Sequence, residues 1–236
     1  LYRRMIPPFV TAGYRVIAFD NRGFGFSDKP TTRYSNAAYV GLLFELLDSL
    51  QIGEAVLVGH SMGGAIAAEA ALARPDRVRG LVLVDAAGLG VRWPFMLRVA
   101  RWPMIGALFD RFRGRGATAG ILKLLYADPS RVTDQDVDQY YAPLAEPGAG
   151  RALRGVLREF RFDFLRGRID SIAAPTLVMW GSEDRLIPPS VGQAVVSELP
   201  RGAFVLVPDA GHALPEEAPE AFSRTLLAFL RYGLPG

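Results

Sequence analysis

AVLVGHSMGGAIAAEAALA, running from Ala55 to Ala73, decides how the rest of the chain is read. A short apolar run, Ala55 to Val58, leads through Gly59-His60-Ser61-Met62-Gly63-Gly64 into an alanine-rich stretch of high helix propensity. The pattern is a buried strand turning sharply into a helix, with a serine on the turn. A serine so placed is held in a strained backbone conformation, so its neighbours two residues to either side must be small. Gly59 and Gly63 meet that need. The hydroxyl then stands exposed above the strand end. The helix starting beside it points its first N–H groups and positive dipole end at the same place, which suits an oxyanion, and Met62 N–H is the expected first donor.

Outward from this point the chain alternates short β-branched runs with helical stretches. Tyr14 to Phe19 (YRVIAF), Leu81 to Val84 (LVLV), Thr176 to Trp180 (TLVMW) and Phe204 to Val207 (FVLV) are nearly continuous apolar runs, as expected of strands buried on both faces. Apolar residues recur at three- and four-residue steps over Asn36 to Leu50, Met62 to Arg74, Pro189 to Leu199 and Pro219 to Arg231, which predicts helices. The fold class is therefore α/β, a mostly parallel sheet flanked by helices.

The rhythm breaks between Gly88 and Ser171, where no strand pattern occurs and amphipathic patches are interrupted by Pro, Gly and Asp. So long an interruption predicts an inserted subdomain. The expected division is a first core part over 1–87, a helical cap over 88–171 and a second core part over 172–236. Val91 to Phe112 mixes Trp93, Phe95, Met96, Trp102 and Met104 with arginines. That reads either as a lid helix lining a pocket or touching lipid, or as a helix burying its apolar face on the main body.

A serine hydroxyl is a weak nucleophile until a neighbouring base takes its proton, and histidine is the side chain suited to that near neutral pH. The sequence holds two histidines. His60 adjoins Ser61, and strand alternation directs its side chain away from that of the serine. His212 follows the last predicted strand in FVLVPDAGHALPEEAPEAF, on a loop that can return over Ser61. A carboxylate must then orient the histidine. Asp184, in TLVMWGSEDRLIPP, lies just past a strand end and is the expected partner, with Asp85 at the end of LVLVD and the adjacent Glu183 as competitors.

Composition narrows the remaining possibilities. Half of the 236 residues are apolar, and the net charge of +3 arises from 27 basic and 24 acidic residues. Lys29 and Lys123 are the only lysines. No stretch gathers basic residues with interleaved aromatics, which argues against nucleic-acid binding. The absence of cysteine excludes thiol nucleophiles, thiolate metal sites and disulfides. No apolar run reaches the roughly 18 residues of a membrane span, and no signal-peptide pattern opens the chain. The expectation is a soluble protein without stable membrane insertion, with the cytoplasm as default compartment. Nothing in the pattern speaks to oligomeric state.

With these residues in place the chain resembles the α/β-hydrolase fold family, in the branch with a helical cap that includes esterases, lactonases and carbon–carbon bond hydrolases. Besides GHSMGG, the segment VIAFDNRGFGFSD is similar to the family's D-x-R-G-x-G-x-S stretch through Asp20, Arg22, Gly23, Gly25 and Ser27, and its role is expected to be structural. The acid and histidine loops, GSEDRLIPP and PDAGHALPEEAPEAF, also look like the family's. The resemblance implies a Ser61–His212–Asp184 triad with Met62 N–H in the oxyanion hole, no cofactor and no metal, and a small-molecule ester as substrate. Relatives that cleave carbon–carbon bonds often carry Asn where His60 stands and an aromatic where Ala213 follows the base, so the pattern tilts toward esters.

The family's sheet begins with three strands before the one matched by Tyr14 to Phe19, and an HG loop after the third supplies a second oxyanion donor. This sequence carries no such segment. Tyr14 to Phe19 and Ala55 to Val58 are then expected either to pair directly or to leave backbone edges unpaired. Because one oxyanion donor is worth a factor of about 100 to 1,000 in rate, the chain taken alone is expected to be a catalytically impaired homologue.

Overall fold

The computed structural model describes residue 2 and residues 4–88, 114–163 and 165–234. Four parallel strands form one sheet in the order β1-β2-β3-β4: β1 Ala55–His60, β2 Val78–Val84, β3 Thr176–Gly181 and β4 Gly202–Val207. Three helices precede or follow the first strand: α1 Ile6–Thr11, α2 Asn36–Ser49 and α3 Met62–Ala73. Between β2 and β3 the described residues form α4 Arg115–Leu125, α5 Asp134–Ala145 and α6 Ala149–Glu159, with no strand among them. The chain ends with α7 Pro189–Glu198, the single turn α8 Leu214–Glu217, and α9 Pro219–Ala228, which runs on into a π-helical turn over Phe229–Gly233. The predicted lid segment, Val91 to Phe112, lies outside the described residues.

The central strands are apolar over Leu81–Val84 and Leu177–Trp180 because each of their faces there meets a different core. In β2, Leu81 and Leu83 enter one cluster with Ala65, Ile66 and Ala68 of α3, while Val82 and Val84 enter the other with Met5, Phe9, Phe222 and Leu226. In β3, Val178 and Trp180 alternate with Leu177 and Met179 in the same way. Helices α3 and α7 cover one side, and α1 and α9 pack on each other over the other. Four of the five predicted strands and all four predicted helices form, with ends displaced by three residues at most.

Tyr14 to Phe19 departs from the expectation and forms no strand. Its composition encodes burial in a sheet, but a strand also needs a neighbour for its N–H and C=O groups, and this segment has no ladder partner among the described residues. Val16, Ile17 and Phe19 are accordingly exposed, at 37%, 38% and 43%. Of the two outcomes open to the sequence, direct pairing with β1 or unpaired edges, the described residues show the second.

Candidate active site

The turn between β1 and α3 places Ser61 at φ 51° and ψ −121°, a left-handed conformation that L-residues rarely adopt. Gly59 permits it, since a Cβ there would run into the backbone of Gly63 and Gly64. The same steric reason does not hold for Gly63, which has open space beside it; Gly64 is the second tight position, with a Cβ falling 2.5 Å from that of Ala86. Ser61 O accepts from Gly64 N–H at 2.9 Å and from Ala87 N–H at 3.0 Å, so both the helix and the exit of β2 pin the turn. Met62 is the first residue of α3, whose opening amides have no acceptor within the helix.

Three predicted side chains come together above this turn. His212 Nε2 lies 3.1 Å from Ser61 Oγ, and His212 Nδ1 lies 2.8 Å from Asp184 Oδ2. The carboxylate oxygen accepts, so Nδ1 carries the hydrogen and Nε2 presents its lone pair to the serine hydroxyl. The other carboxylate oxygen, Asp184 Oδ1, accepts from Leu186 N–H at 2.8 Å and Ile187 N–H at 2.9 Å, which fixes its orientation. Asp184 and His212 are buried and Ser61 is half-buried.

The competing acids are not brought to His212. Glu183 is exposed. Asp85 is fully buried but turns the other way, accepting from Gly181 N–H at 2.9 Å through Oδ1. Its Oδ2 has no hydrogen-bond partner and sits 3.9 Å from His60 Nε2. Burial pushes this carboxyl well above the usual carboxylate range.

His60 has a part that strand alternation did not reveal. Its ring leaves Ser61 but meets the histidine loop, with Nε2 2.6 Å from His212 O and the two imidazole centres 4.9 Å apart. Nε2–H is the donor. Burial, together with the nearby His212, pushes the pKa of His60 down to about 3, so it serves as a neutral donor.

The D-x-R-G-x-G-x-S segment folds into a loop held from within. Asp20 Oδ2 accepts from Phe26 N–H at 3.0 Å, Ser27 Oγ donates to Asp20 O at 2.6 Å, and Lys29 Nζ donates to Gly25 O at 2.9 Å. Gly23 and Gly25 take positive φ of 86° and 54° in its turns. Arg151, Arg154, Arg158 and Arg161 recur at three- and four-residue spacing, which suits either a cationic pocket face or a solvated helix face. Arg154 is half-buried and the other three are exposed, with Arg158 paired to Glu159 and Arg161 to Asp163. No helix among the described residues is long and apolar enough to cross a membrane.

A hydroxyl, an imidazole and a carboxylate in series, at the C-terminal ends of a parallel sheet and beside a helix N-terminus, form the arrangement used for nucleophilic attack on a carbonyl. The sequence matches the alpha/beta hydrolase family over residues 2–225. It is 30% identical to an uncharacterised hydrolase of Bacillus subtilis, covering 97% of this chain and 84% of that one. Among solved structures it is similar to a meta-cleavage product hydrolase from Pseudomonas fluorescens IP01, at TM-score 0.83 and 27% identity over 98% of this chain and 84% of that chain. It is similar to a thermophilic esterase from Thermogutta terrifontis at TM-score 0.82 and 26% identity, over 99% and 86%. The chain belongs to the alpha/beta hydrolase family and is a hydrolase enzyme of that fold.

Proposed function

We propose that the chain is a serine hydrolase that cleaves a small carboxylic ester through an acyl-enzyme, within a core of residues 1–87 and 172–236 and a helical cap over 88–171. The observation carrying this reading is the unbroken hydrogen-bond series from Ser61 Oγ through His212 to Asp184. Ser61 Oγ attacks the carbonyl carbon as its proton passes to His212 Nε2, and Asp184 stabilises the imidazolium at Nδ1. Met62 N–H donates to the oxyanion. The intermediate collapses as His212 returns the proton to the departing alkoxide. Water, deprotonated by His212, then adds to the acyl carbon and releases the acid and Ser61.

The likeness to a meta-cleavage product hydrolase favours a second reading, hydrolysis of a carbon–carbon bond by the same three side chains. Two features weigh toward the ester: His60 in place of the asparagine frequent in carbon–carbon hydrolases, and Ala213 after the base. Labelling with a fluorophosphonate, read by intact mass, tests what the two readings share. A single adduct that disappears in Ser61→Ala and falls below detection in His212→Ala is expected. An adduct that survives Ser61→Ala overturns the assignment. Short-chain p-nitrophenyl esters assayed beside a ring-cleavage dienoate then separate the two, with ester turnover expected to exceed dienoate turnover at least tenfold.

A further inference from the structure

The histidine loop rests on a shelf formed by Leu125 to Arg131, at the end of α4 in the segment between β2 and β3. His212 N–H donates to Leu125 O at 2.8 Å. Glu217, five residues beyond His212 at the end of α8, reaches back beneath the loop. Its Oε1 accepts from Gly211 N–H at 2.8 Å and its Oε2 from Ala127 N–H at 2.7 Å. One buried carboxylate thus bridges the residue immediately before the histidine to the inserted segment. Arg131 Nη2 donates to Glu217 O at 2.6 Å, and Tyr126 OH donates to Glu216 Oε2 at 2.9 Å. The approach is too close for a side chain on Gly211, whose Cβ would fall 2.5 Å from Leu125 O and 2.6 Å from Ala127 N.

A buried carboxylate is costly unless its oxygens are satisfied, and here both are spent on backbone N–H groups flanking the candidate base and its support. Nothing in the proton transfer itself calls for Glu217. We propose that Glu217 is a positioning residue for His212: by clamping Gly211 to Ala127 it sets the distance from Nε2 to Ser61 Oγ, so the inserted helical segment forms part of the scaffold of the reacting groups. The turn after β3 and the end of β1 also hold this loop, through Glu183 N–H to Ala210 O at 2.9 Å and the His60 bond to His212 O. The inference rests on Ser61 and His212 being nucleophile and base.

The test compares Glu217→Ala, Glu217→Gln and Thr133→Ala with wild type by p-nitrophenyl ester kinetics, fluorophosphonate labelling rate at Ser61 and melting temperature. Thr133 caps α5 and takes part in none of the bonds to the histidine loop, so its variant loosens the inserted segment without touching the clamp. A displacement of the base by about 1 Å is enough to cost on the order of 100-fold. Glu217→Ala is expected to lower kcat and labelling rate about 10- to 100-fold with KM changed less than twofold. Glu217→Gln keeps one acceptor but turns an NH2 toward a backbone N–H, and is expected to fall between the two. It also carries the test if the alanine variant does not fold. Thr133→Ala should lower the melting temperature and leave kcat unchanged. Glu217 variants that melt earlier but keep wild-type kcat and labelling rate overturn the positioning role, as does an equal loss of kcat in Thr133→Ala. Labelling of wild type anywhere but Ser61 refutes the underlying assignment instead, a distinguishable failure that removes the proposal with it.

Discussion

Strands β2 and β3 lie side by side, are buried on both faces and each lead into an aspartate, yet the two acids have opposite fates. Asp85 follows β2 at once, at φ 44°, with its N–H still bonded to Met179 O, so its carboxyl lies at the level of the sheet and pairs with Gly181 N–H. Asp184 comes three residues after β3 ends, beyond a turn that lifts it above the strand ends to His212. Asp184 N–H bonds back to Gly181 O at 3.3 Å, so the exit from β3 is a closed turn, and that turn delivers its carboxyl to His212. The difference teaches that an acid near a strand end becomes a partner for the histidine by its height above the sheet. Burial alone, which both share, leaves Asp85 with an unpartnered oxygen.

Breaking the comparison at its stronger side gives the largest effect. Asp184→Asn keeps the shape but removes the acceptor that fixes the histidine tautomer, and should lower kcat for an ester about 10³- to 10⁴-fold with the circular dichroism spectrum unchanged. A loss under tenfold would mean that another group orients His212. An intermediate effect is expected where the sheet meets the histidine loop. His60→Leu leaves the His212 carbonyl buried without its donor, which costs about 1–3 kcal/mol of stability, measurable by chemical denaturation, and should slow turnover about tenfold.

The smallest effect on rate should come from Asp85→Asn, with kcat within about threefold of wild type, since Asn Oδ1 still accepts from Gly181 N–H. Its stability signature is sharper. The folded-state pKa of Asp85 lies above the unfolded value, so its contribution is fully present below the ordinary carboxylate pKa and is lost as pH rises through the folded value. Asparagine has no such loss. The melting-temperature advantage of Asp85→Asn over wild type should therefore grow from pH 4 to pH 8, and a constant or shrinking gap would contradict the picture of a carboxyl held protonated by burial.

What the sequence disclosed follows the range of the interactions involved. The elbow at Ser61 and the runs in β2 and β3 were legible because a strained turn and two-sided burial are written in consecutive residues. Asp184 was legible as an acid just past a strand end, but Asp85 stayed a competitor because both acids fall between Ser61 and His212 and the sequence does not give the direction in which each carboxyl leaves its strand. Tyr14 to Phe19 was misread because β-branched composition signals fitness for a sheet, whereas pairing depends on a neighbour elsewhere in the chain. The contact of His60 with His212 O stayed hidden because alternation gives the direction of a side chain and not what a distant loop places there. Glu217 carried only a weak sign, an acid five residues after a candidate base. Its bonds to Gly211 and Ala127 span both the turn and the inserted segment.

The left-handed backbone at Ser61 has a meaning in evolutionary terms. A residue with a side chain in such a conformation typically costs about 1–3 kcal/mol, and glycine at the same place would relieve part of it. Stability by itself therefore draws this position toward glycine. A serine there sits uphill, and under the proposed role the need for its hydroxyl is the force that opposes the slide.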